Sequence, residues 1–594
     1  MKKMRWLTLL LALTLVIGSF AGCARIPDDN GESDNNDIDS SEVQGDILAR
    51  TEKSDVIYVV RETIKGLDGK KSITIAEKFL LQTVQGIVAQ RKAEIYIGTA
   101  SDKFLKHAKI KYNITLDDGK YLYTVDAEGN EQKTESTTTW LNSLGDLVNH
   151  YAEAGDIKGY VKIKLDSNKF NELKNQSNQA CTYAGAYQYV AVSDKLEASF
   201  NEHCSAVTLG KDISATEITQ IEVYKECEEM LSKDVLIMQA ANRLENLREY
   251  GISQKAGFYF YNESDPVADR DYVYTSLNTM ANAYGWEQID QTEDGIKIGM
   301  TEDPSVDFAS KRDVNVFAAD WCKNLSVWMS MPIEKAEQKD YKKLSEEEEQ
   351  KHYVTLLYSD GDNIQWTTGG GFINDFYLGT KPEKKEMPFG WTLTPSMAEV
   401  APSMLSYIYE NMLDTEQFVG SVSGYAYSHP ANFSEEGLKQ FSKNTAAMMG
   451  KADMDLLAMK GVNEKVMDSF ANEEEIRGGF VMYGADSGKG GNIYWSNGKP
   501  FIHDRYILWA DRGAQNDPIQ VAKRISQIRE LSQDKTKSSC YTFIQVHCWS
   551  YKYAAIQKDF YNNLDKENIK VVTPGEMIDL VVANVQGENG KYTK

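Results

Sequence analysis

VTLLYSDGDNIQW, residues 354–366, is a short apolar run that stops at a pair of carboxylates, turns at a glycine and continues with helical spacing. In α/β folds, the loop after the carboxyl end of a strand usually carries the binding and catalytic side chains. Asp360 and Asp362 are therefore candidate active-site residues. The alternative is a surface turn in which Asp362 or Asn363 only caps the helix that follows.

Strand and helix patterns alternate from this stretch to residue 583. Eight segments have the length and composition of strands: 353–358, 389–393, 417–421, 454–459, 478–483, 500–508, 541–546 and 569–572. Most of them are followed by a helical pattern. Such alternation is typical of a parallel α/β sheet or a (β/α) barrel, and about eight strands favour the barrel.

Shorter runs of the same alternation precede the barrel and predict three small α/β domains. Their ranges are 51–135, 136–212 and 213–335, and the third begins with a long helix near 214–250 that is broken once. Residues 336–350 are dense in Lys and Glu and are interpreted as a charged linker to the C-terminal domain, 351–594. The expected fold class is α/β, with a C-terminal (β/α) barrel-like domain preceded by small α/β domains.

The N-terminus has the pattern of a lipoprotein signal peptide, residues 1–23. A basic start precedes an apolar run, 6–17, that is too short to span a bilayer, and small residues stand directly before Cys23. Phe20 stands three places before Cys23, where a lipoprotein signal usually has an aliphatic residue. The alternative is an ordinary signal peptide that contains a cysteine. Residues 24–50 are polar and acidic and predict a disordered tether. We expect a lipid on Cys23 and a membrane-anchored protein at the surface of a bacterium or facing its periplasm.

Composition limits the partners of the body. The chain has 594 residues, 88 acids against 65 bases, and a net charge of -23, which argues against nucleic acid or anionic lipid as a ligand. Neutral ligands such as sugars are compatible with it, and the 33 tyrosines and 10 tryptophans suit stacking on sugar rings. The six cysteines after Cys23 lack zinc spacing and are expected to be mostly buried apolar residues.

Polar and aromatic side chains follow several of the predicted strands. A barrel gathers the carboxyl ends of its strands at one face, so residues from separate loops would share a cleft there. The candidate catalytic residues are Asp360, Asp362, Glu399 and His547. The candidate substrate-binding residues are Trp391, Tyr425, Tyr427, His429, Asp486 and Trp549. Each has a structural alternative, such as a helix-start charge for Glu399 or ordinary packing for the aromatic residues.

The pair of acids suits glycosidic cleavage, which usually needs one carboxylic acid and one carboxylate across the bond. Two neighbouring acids push their pKa values apart and so supply both forms. A divalent metal held by Asp360 and Asp362 with His429 or His547, as in carbohydrate deacetylases on related barrels, stays open. No compact pair of histidines is present, so no cofactor is predicted.

Three motifs resemble the GxGYxYP family, whose members are assigned as glycoside hydrolases: SDGDN at 359–363, GWTLTP at 390–395 and GYAY at 424–427. Residues 81–88 and 324–327 are similar to further motifs of that family, so the resemblance covers nearly the whole body. The chain departs at the naming motif, where Val422 replaces the first Gly and Ser428-His429 precede Pro430. The resemblance implies a carbohydrate-active C-terminal domain. A non-catalytic glycan-binding lipoprotein and a metal-dependent carbohydrate deacetylase are the alternatives.

Overall fold

The computed structural model describes residues 45–165, 175–289, 298–340, 350–369, 371, 387–420, 422–527 and 533–593. The predicted signal peptide with Cys23, and most of the predicted tether, lie outside the described residues. Gly45–Lys594 form one compact unit. Residues 45–50 were assigned to the tether, but Leu48 is buried at 3% exposure because residues 47–50 are bound to the barrel. Among the described residues, no helix is both long and apolar enough to cross a membrane.

The first domain is a five-stranded sheet in the order β2-β1-β3-β4-β5. Its elements are β1 Lys53–Val60, α1 Ile75–Ala89, β2 Ala93–Ile97, α2 Lys103–Tyr112, β3 Thr115–Asp117, β4 Tyr121–Val125 and β5 Glu131–Glu135. Helix α1 begins with a capping box, in which Thr74 and Glu77 bond to each other's backbone N–H groups. Most of α1 is buried, because it also packs on the second and third domains.

The second domain is a three-stranded parallel sheet in the order β7-β6-β8. Its elements are α3 Leu144–Glu153, β6 Gly159–Ile163, α4 Ser177–Tyr187, β7 Tyr189–Ser193, α5 Glu197–His203 and β8 Leu209–Asp212.

The third domain is a four-stranded parallel sheet, β10-β9-β11-β14, with a small hairpin, β12-β13. Its elements are α6 Gln220–Cys227, β9 Val235–Met238, α7 Arg248–Ser253, β10 Gly257–Phe258, α8 Val267–Thr275, β11 Asn282–Gly285, β12 Gln288–Ile289, β13 Ile298–Gly299, α9 Glu302–Ser310, β14 Asn315–Ala318 and α10 Leu325–Trp328. The long helix predicted at 214–250 is wrong. Strand β9 lies in its middle, because the apolar run at 235–238 is buried on both faces of this sheet.

Residues 350–593 form a closed barrel, which confirms the predicted fold class. Seven parallel strands form the ring, in the order β15-β16-β17-β18-β19-β21-β22 and back to β15. The strands are β15 His352–Tyr358, β16 Phe389–Leu393, β17 Glu416–Gly420, β18 Leu456–Lys460, β19 Gly478–Met482, β20 Ile493–Ser496, β21 Lys499–Leu508, β22 Tyr541–Val546, β23 Ile569–Val571 and β24 Lys591–Thr593. The helices are α11 Ile364–Thr368, α12 Met397–Val400, α13 Pro402–Glu410, α14 Glu435–Lys451, α15 Glu464–Ala471, α16 Pro518–Gln527, α17 Tyr553–Asp559 and α18 Pro574–Asn584.

The eighth predicted strand exists but is not part of the ring. Strand β23 pairs with the first residues of β15, at His352–Val354, whereas β16 pairs with β15 at Leu357 and Tyr358. The two strands thus share one edge of β15, and the ring closes with seven. Strands β20 and β24 extend the sheet antiparallel, outside the ring.

The barrel has a filled interior and one covered end. Phe480 of β19 and Phe543 of β22 are not on neighbouring strands, yet their rings meet at 4.9 Å inside the barrel. Helix α18 contacts β15, β17 and β21, and Gly575 at its start donates a backbone hydrogen bond of 2.6 Å to Gln417, near the beginning of β17. Helix α18 therefore covers the amino ends of the strands. The opposite end of the barrel, at the carboxyl ends of the strands, is called the mouth.

Candidate active site

The loop that carries the acid pair is fixed against the end of the neighbouring strand. Gly361 donates its N–H to the Thr392 hydroxyl at 3.0 Å, and its carbonyl accepts from the Thr394 N–H at 2.8 Å. A Cβ atom on Gly361 would lie 1.9 Å from the Thr392 carbonyl oxygen, so only glycine fits. Asp360 has a φ of 70°, a conformation that is uncommon outside glycine and is concentrated at functional sites.

The next helix is capped by Asn363. Helix α11 begins directly after this residue, whose side-chain oxygen accepts from the Trp366 N–H at 3.4 Å. The capping alternative therefore accounts for Asn363 and leaves the carboxyl group of Asp362 without that role.

Asp362 is a buried acid with a strongly raised pKa. Its side chain is 7% exposed, and burial raises its pKa to about 8, with a further contribution from the negative charge of Asp360. Glu302 acts in the same direction more weakly, and the Lys460 ammonium opposes it. Asp362 therefore carries a proton at neutral pH.

Asp360 lies between the ends of β15 and β22. The Ser359 hydroxyl donates to its carboxylate. The negative charge of Asp360 raises the pKa values of His547 and Cys548, which follow β22. Burial lowers the pKa of His547, and Asp360 opposes that shift. The His547 ring stacks on Trp509 at 4.1 Å. Two of the predicted residues, Asp360 and His547, thus lie close together because their strands are neighbours in the ring.

The third domain contributes acids to the same mouth. The Tyr427 hydroxyl donates to Glu302, the first residue of α9. Burial raises the pKa of Tyr427 above its usual range, and the charges of Glu302 and Asp362 add to this shift. The neighbouring Asp303 forms an ion pair of 2.5 Å with Lys460, at the end of β18.

His429 lies at this same junction of the two domains. Its Nε2 atom is 3.4 Å from Asp303, and its backbone N–H donates to Ser310. Burial lowers the pKa of His429, and Lys460 lowers it further. Tyr427 and His429 therefore belong to the seam between the barrel and the third domain.

Two aromatic residues predicted to line the cleft do not reach it. Trp391 lies on the outer face of β16 at 2% exposure and stacks on Tyr358 at 4.7 Å. Tyr425 is fully buried against the third domain, and its hydroxyl accepts from Asn315 at 2.7 Å. The expectation that both would share one concavity with Asp360 and His547 is wrong.

Glu399 also lies away from the mouth. Its buried carboxylate accepts the backbone N–H groups of Ile47 and Leu48 and forms a 2.6 Å ion pair with Lys451. This geometry holds the chain that enters the body at residue 45. We therefore assign Glu399 a structural role.

Asp486 and Trp549 lie at the rim of the mouth. Asp486 is bound by the Arg512 guanidinium at 2.6 Å, and that guanidinium packs on Trp509 at 4.7 Å. Trp549 is 53% exposed, and its ring lies 4.6 Å from Trp366. This pair of indoles presents apolar surface at the entrance.

Three residues of the mouth were missed in the sequence. Lys460 is the last residue of β18 and Tyr483 directly follows β19, so the rule that selected Asp360 would have selected them. Both Asp360 and Asp362 act on the pKa of Tyr483, although its burial is the larger cause of the raised value of about 12. Glu302 belongs to another domain, and no local pattern indicates it.

The described residues contain no group of three or more His, Cys, Asp and Glu side chains that could hold a metal ion. Asp360, Asp362, His429 and His547 are all described, and they do not form such a group. The six described cysteines after residue 23 are buried, and none of them forms a disulfide.

The comparisons with known proteins agree with this architecture. Residues 350–582 match the family model "GxGYxYP putative glycoside hydrolase C-terminal domain", and residues 233–330 match "GxGYxYP third domain". The chain belongs to the GxGYxYP family, which confirms the resemblance found in the sequence. No protein of curated function matches the chain.

One solved structure shares the overall fold of this chain. The crystal structure of a "putative hydrolase" from Bacteroides thetaiotaomicron VPI-5482 superimposes with a TM-score of 0.74 at 25% identity, covering 91% of this chain and 97% of that chain. Peptidoglycan deacetylase PdaC from Bacillus subtilis matches at a TM-score of 0.24 and 13% identity, over 39% of this chain and 91% of that chain. This similarity is too weak to indicate a shared fold.

Proposed function

We propose that this protein is a glycoside hydrolase that uses Asp362 as its general acid and Asp360 as the partner carboxylate. A general hydrolase role is supported by the family and by the similar hydrolase structure. The observation that supports the finer proposal is the buried carboxyl group of Asp362, which lies close to Asp360 at the carboxyl ends of the barrel strands and has a pKa raised to about 8.

The proposed chemistry follows from the two environments. A protonated Asp362 can donate its proton to the leaving glycosidic oxygen, as a general acid must at neutral pH. The carboxylate of Asp360 then acts on the other side of the bond, either on the anomeric carbon or on a water molecule. Its charge also keeps the proton on Asp362, so each acid supports the other's role.

Substrate contacts are assigned to the rim. Trp366 and Trp549 offer ring faces on which a sugar can stack. The charge of Asp360 acts on His547, and the proposed role of His547 is to orient that carboxylate. Tyr427 and Lys460 border the acids on the side of the third domain. No step of this scheme requires Trp391, Tyr425 or Glu399.

A glycan library screened for both binding and product release tests the proposal. Wild type should release a reducing sugar from one glycan class, and the Asp362→Asn variant should bind that glycan without releasing product. Binding by wild type without any release would favour the non-catalytic glycan-binding alternative. Release of acetate from an acetylated glycan, abolished by chelators and without a new reducing end, would favour the metal-dependent deacetylase alternative.

We also propose that the mature chain begins at a lipidated Cys23 and is anchored to the membrane of a bacterium, so that the body faces a glycan outside the cytoplasm. The proposal rests on the basic start, the short apolar run and the small residues before Cys23. Mass spectrometry of the mature N-terminus should find a lipid-modified cysteine, and Cys23→Ala should abolish it. A mature N-terminus without lipid would contradict the anchor.

A further inference from the structure

A large groove lies beside the barrel mouth and is built by three domains. Its volume is about 1560 Å³, above the roughly 300–1,000 Å³ of an ordinary small-molecule pocket. The first domain contributes Tyr96 and Phe104, the third contributes Trp321, and helix α11 of the barrel contributes Gln365 and Thr368. The size and the open, shared walls suit an extended ligand.

Trp321 is the most exposed indole of this groove. Trp321 is 56% exposed, but its position is fixed by two contacts. The Arg243 guanidinium packs on the indole ring at 4.2 Å, and the Trp321 backbone N–H donates to the Gln365 side chain at 2.9 Å. A large aromatic ring that is fixed in position and left in water is typical of a binding surface. The C–H face of a sugar ring is a partner that would cover it.

Most of the acids that line the groove are paired with a basic side chain. The acids Glu62, Asp102, Glu245 and Asp320 line it, together with the bases Lys103, Arg243 and Lys323. Arg243 pairs with Asp320, and Lys78 bridges Glu62 at 2.9 Å and Glu245 at 3.3 Å. A groove with paired charges selects neither anions nor cations, and its polar groups can still bond to hydroxyls.

The groove adjoins the acid pair through Trp286. This indole lines the groove, and its ring lies 5.6 Å from the ring of Tyr427. Tyr427 in turn borders Asp362, which in its ionised form raises the pKa of the Tyr427 hydroxyl. A chain lying in the groove would therefore reach the mouth at the Trp286 end.

We propose that this groove binds an uncharged oligosaccharide chain of several sugar units and positions one end of it at the barrel mouth. The positioning at the mouth rests on the proposed function. The ligand class is a neutral glycan, because the groove combines a fixed, exposed indole with compensated charges. Its length is expected to exceed a disaccharide, because the groove extends from the first domain to helix α11.

Isothermal titration of the purified full chain tests this inference. The probes are neutral cello-, xylo-, manno- and malto-oligosaccharides of two to eight units. For one series, affinity should rise with length, and Trp321→Ala should weaken binding of the hexasaccharide by about tenfold, the equivalent of ~1.4 kcal/mol. Trp321→Phe, which keeps a ring, should retain most of the affinity.

A matched control is Tyr272→Ala, which removes a 38% exposed aromatic side chain of the same domain that does not line the groove. It should change the affinity less than twofold. Equal binding by wild type and Trp321→Ala, affinity that does not depend on length, or no binding in any series would overturn the groove.

Product release separates this inference from the proposed function. Length-dependent binding that needs Trp321, with no product from any glycan, would support the groove and contradict the hydrolase. Product release with no effect of Trp321→Ala on binding would contradict the groove and support the hydrolase.

Discussion

The barrel mouth and the groove beside it handle charge in opposite ways. In the groove three of the four lining acids have a basic partner: Arg243 pairs with Asp320, and Lys78 pairs with Glu62 and Glu245. In the mouth, Asp360 and Glu302 both add to the raised pKa of Asp362, and Lys460 opposes them only in part. Compensated charge suits a surface that binds a neutral chain. Proton transfer at neutral pH instead needs an acid whose pKa is raised by burial and by neighbouring negative charges.

The largest effect is expected for a substitution at the barrel mouth that should impair turnover and leave the groove intact. Asp362→Asn keeps the shape of the side chain but removes the transferable proton, so turnover should fall about 10²- to 10⁴-fold. The melting temperature and the affinity for glycan should change little. Rates on the glycan found in the library screen provide the measurement, with Asp55→Asn, at an exposed position of the first domain, as control. Retained turnover in Asp362→Asn would remove it from the mechanism.

Glu399 is as buried as Asp362 but fully paired, so its replacement should affect stability and not chemistry. Glu399→Ala leaves the buried Lys451 ammonium without its partner, and breaking such a pair costs ~3–5 kcal/mol. Urea titration should show this loss of unfolding free energy, while turnover per folded molecule is retained. The exposed Glu474→Ala is the control and should change stability by less than ~0.5 kcal/mol. Normal stability of Glu399→Ala would contradict the structural role.

The pH dependence of stability should reveal the raised pKa of Asp362. The pKa of Asp362 is about 8 in the folded chain, above its unfolded value of about 3.9, so its stabilising proton is present below about pH 4 and lost as the pH rises to about 8. The free energy of unfolding of wild type should therefore fall relative to Asp362→Asn over this range. Linkage converts this fall into the pKa shift at ~1.36 kcal/mol per unit, so a pKa near 8 requires a difference of several kcal/mol. Parallel curves for the two proteins would contradict the raised pKa.

The smallest effect is expected at the seam between the two domains. Tyr427→Phe removes the hydroxyl that donates to Glu302 but keeps the ring next to Trp286. Loss of one hydrogen bond of ~1 kcal/mol should lower kcat/KM about fivefold and leave oligosaccharide affinity in the groove unchanged. Steady-state kinetics and titration calorimetry on the same variant give both values. A loss as large as that of Asp362→Asn would mean that Tyr427 itself takes part in proton transfer.

The sequence predicts the barrel and the acid loop well, because both depend on local patterns. Most ring strands contain an apolar run of strand length, and Asp360 is the second residue after the first of them. The exclusion of Ile569–Val571 from the ring could not be predicted. Those residues have the composition of a barrel strand, and their position depends on pairing with His352–Val354, more than 200 residues earlier.

The misplaced site residues have two different causes. Trp391 shares the outer face of β16 with Phe389 and Leu393, so the alternation of side chains along the strand could have revealed its direction. Tyr425 and Glu302 depend on how the third domain docks on the barrel, which no local pattern encodes. Glu399 follows a barrel strand as predicted, but its partners come from residues 47–48 and from α14.

The central claim is that Asp362 holds a proton at neutral pH, and infrared titration tests it without any substrate. The carbonyl stretch of protonated carboxyl groups is recorded from pH 5 to 9 for wild type and for Asp362→Asn, and one spectrum is subtracted from the other. Subtraction is needed because burial also raises the pKa of Asp504 and Glu249 to about 7. The account predicts one carboxyl band in the difference that disappears with a midpoint near pH 8. No difference band above pH 5 would show that Asp362 is ionised at neutral pH and would contradict its role as the general acid.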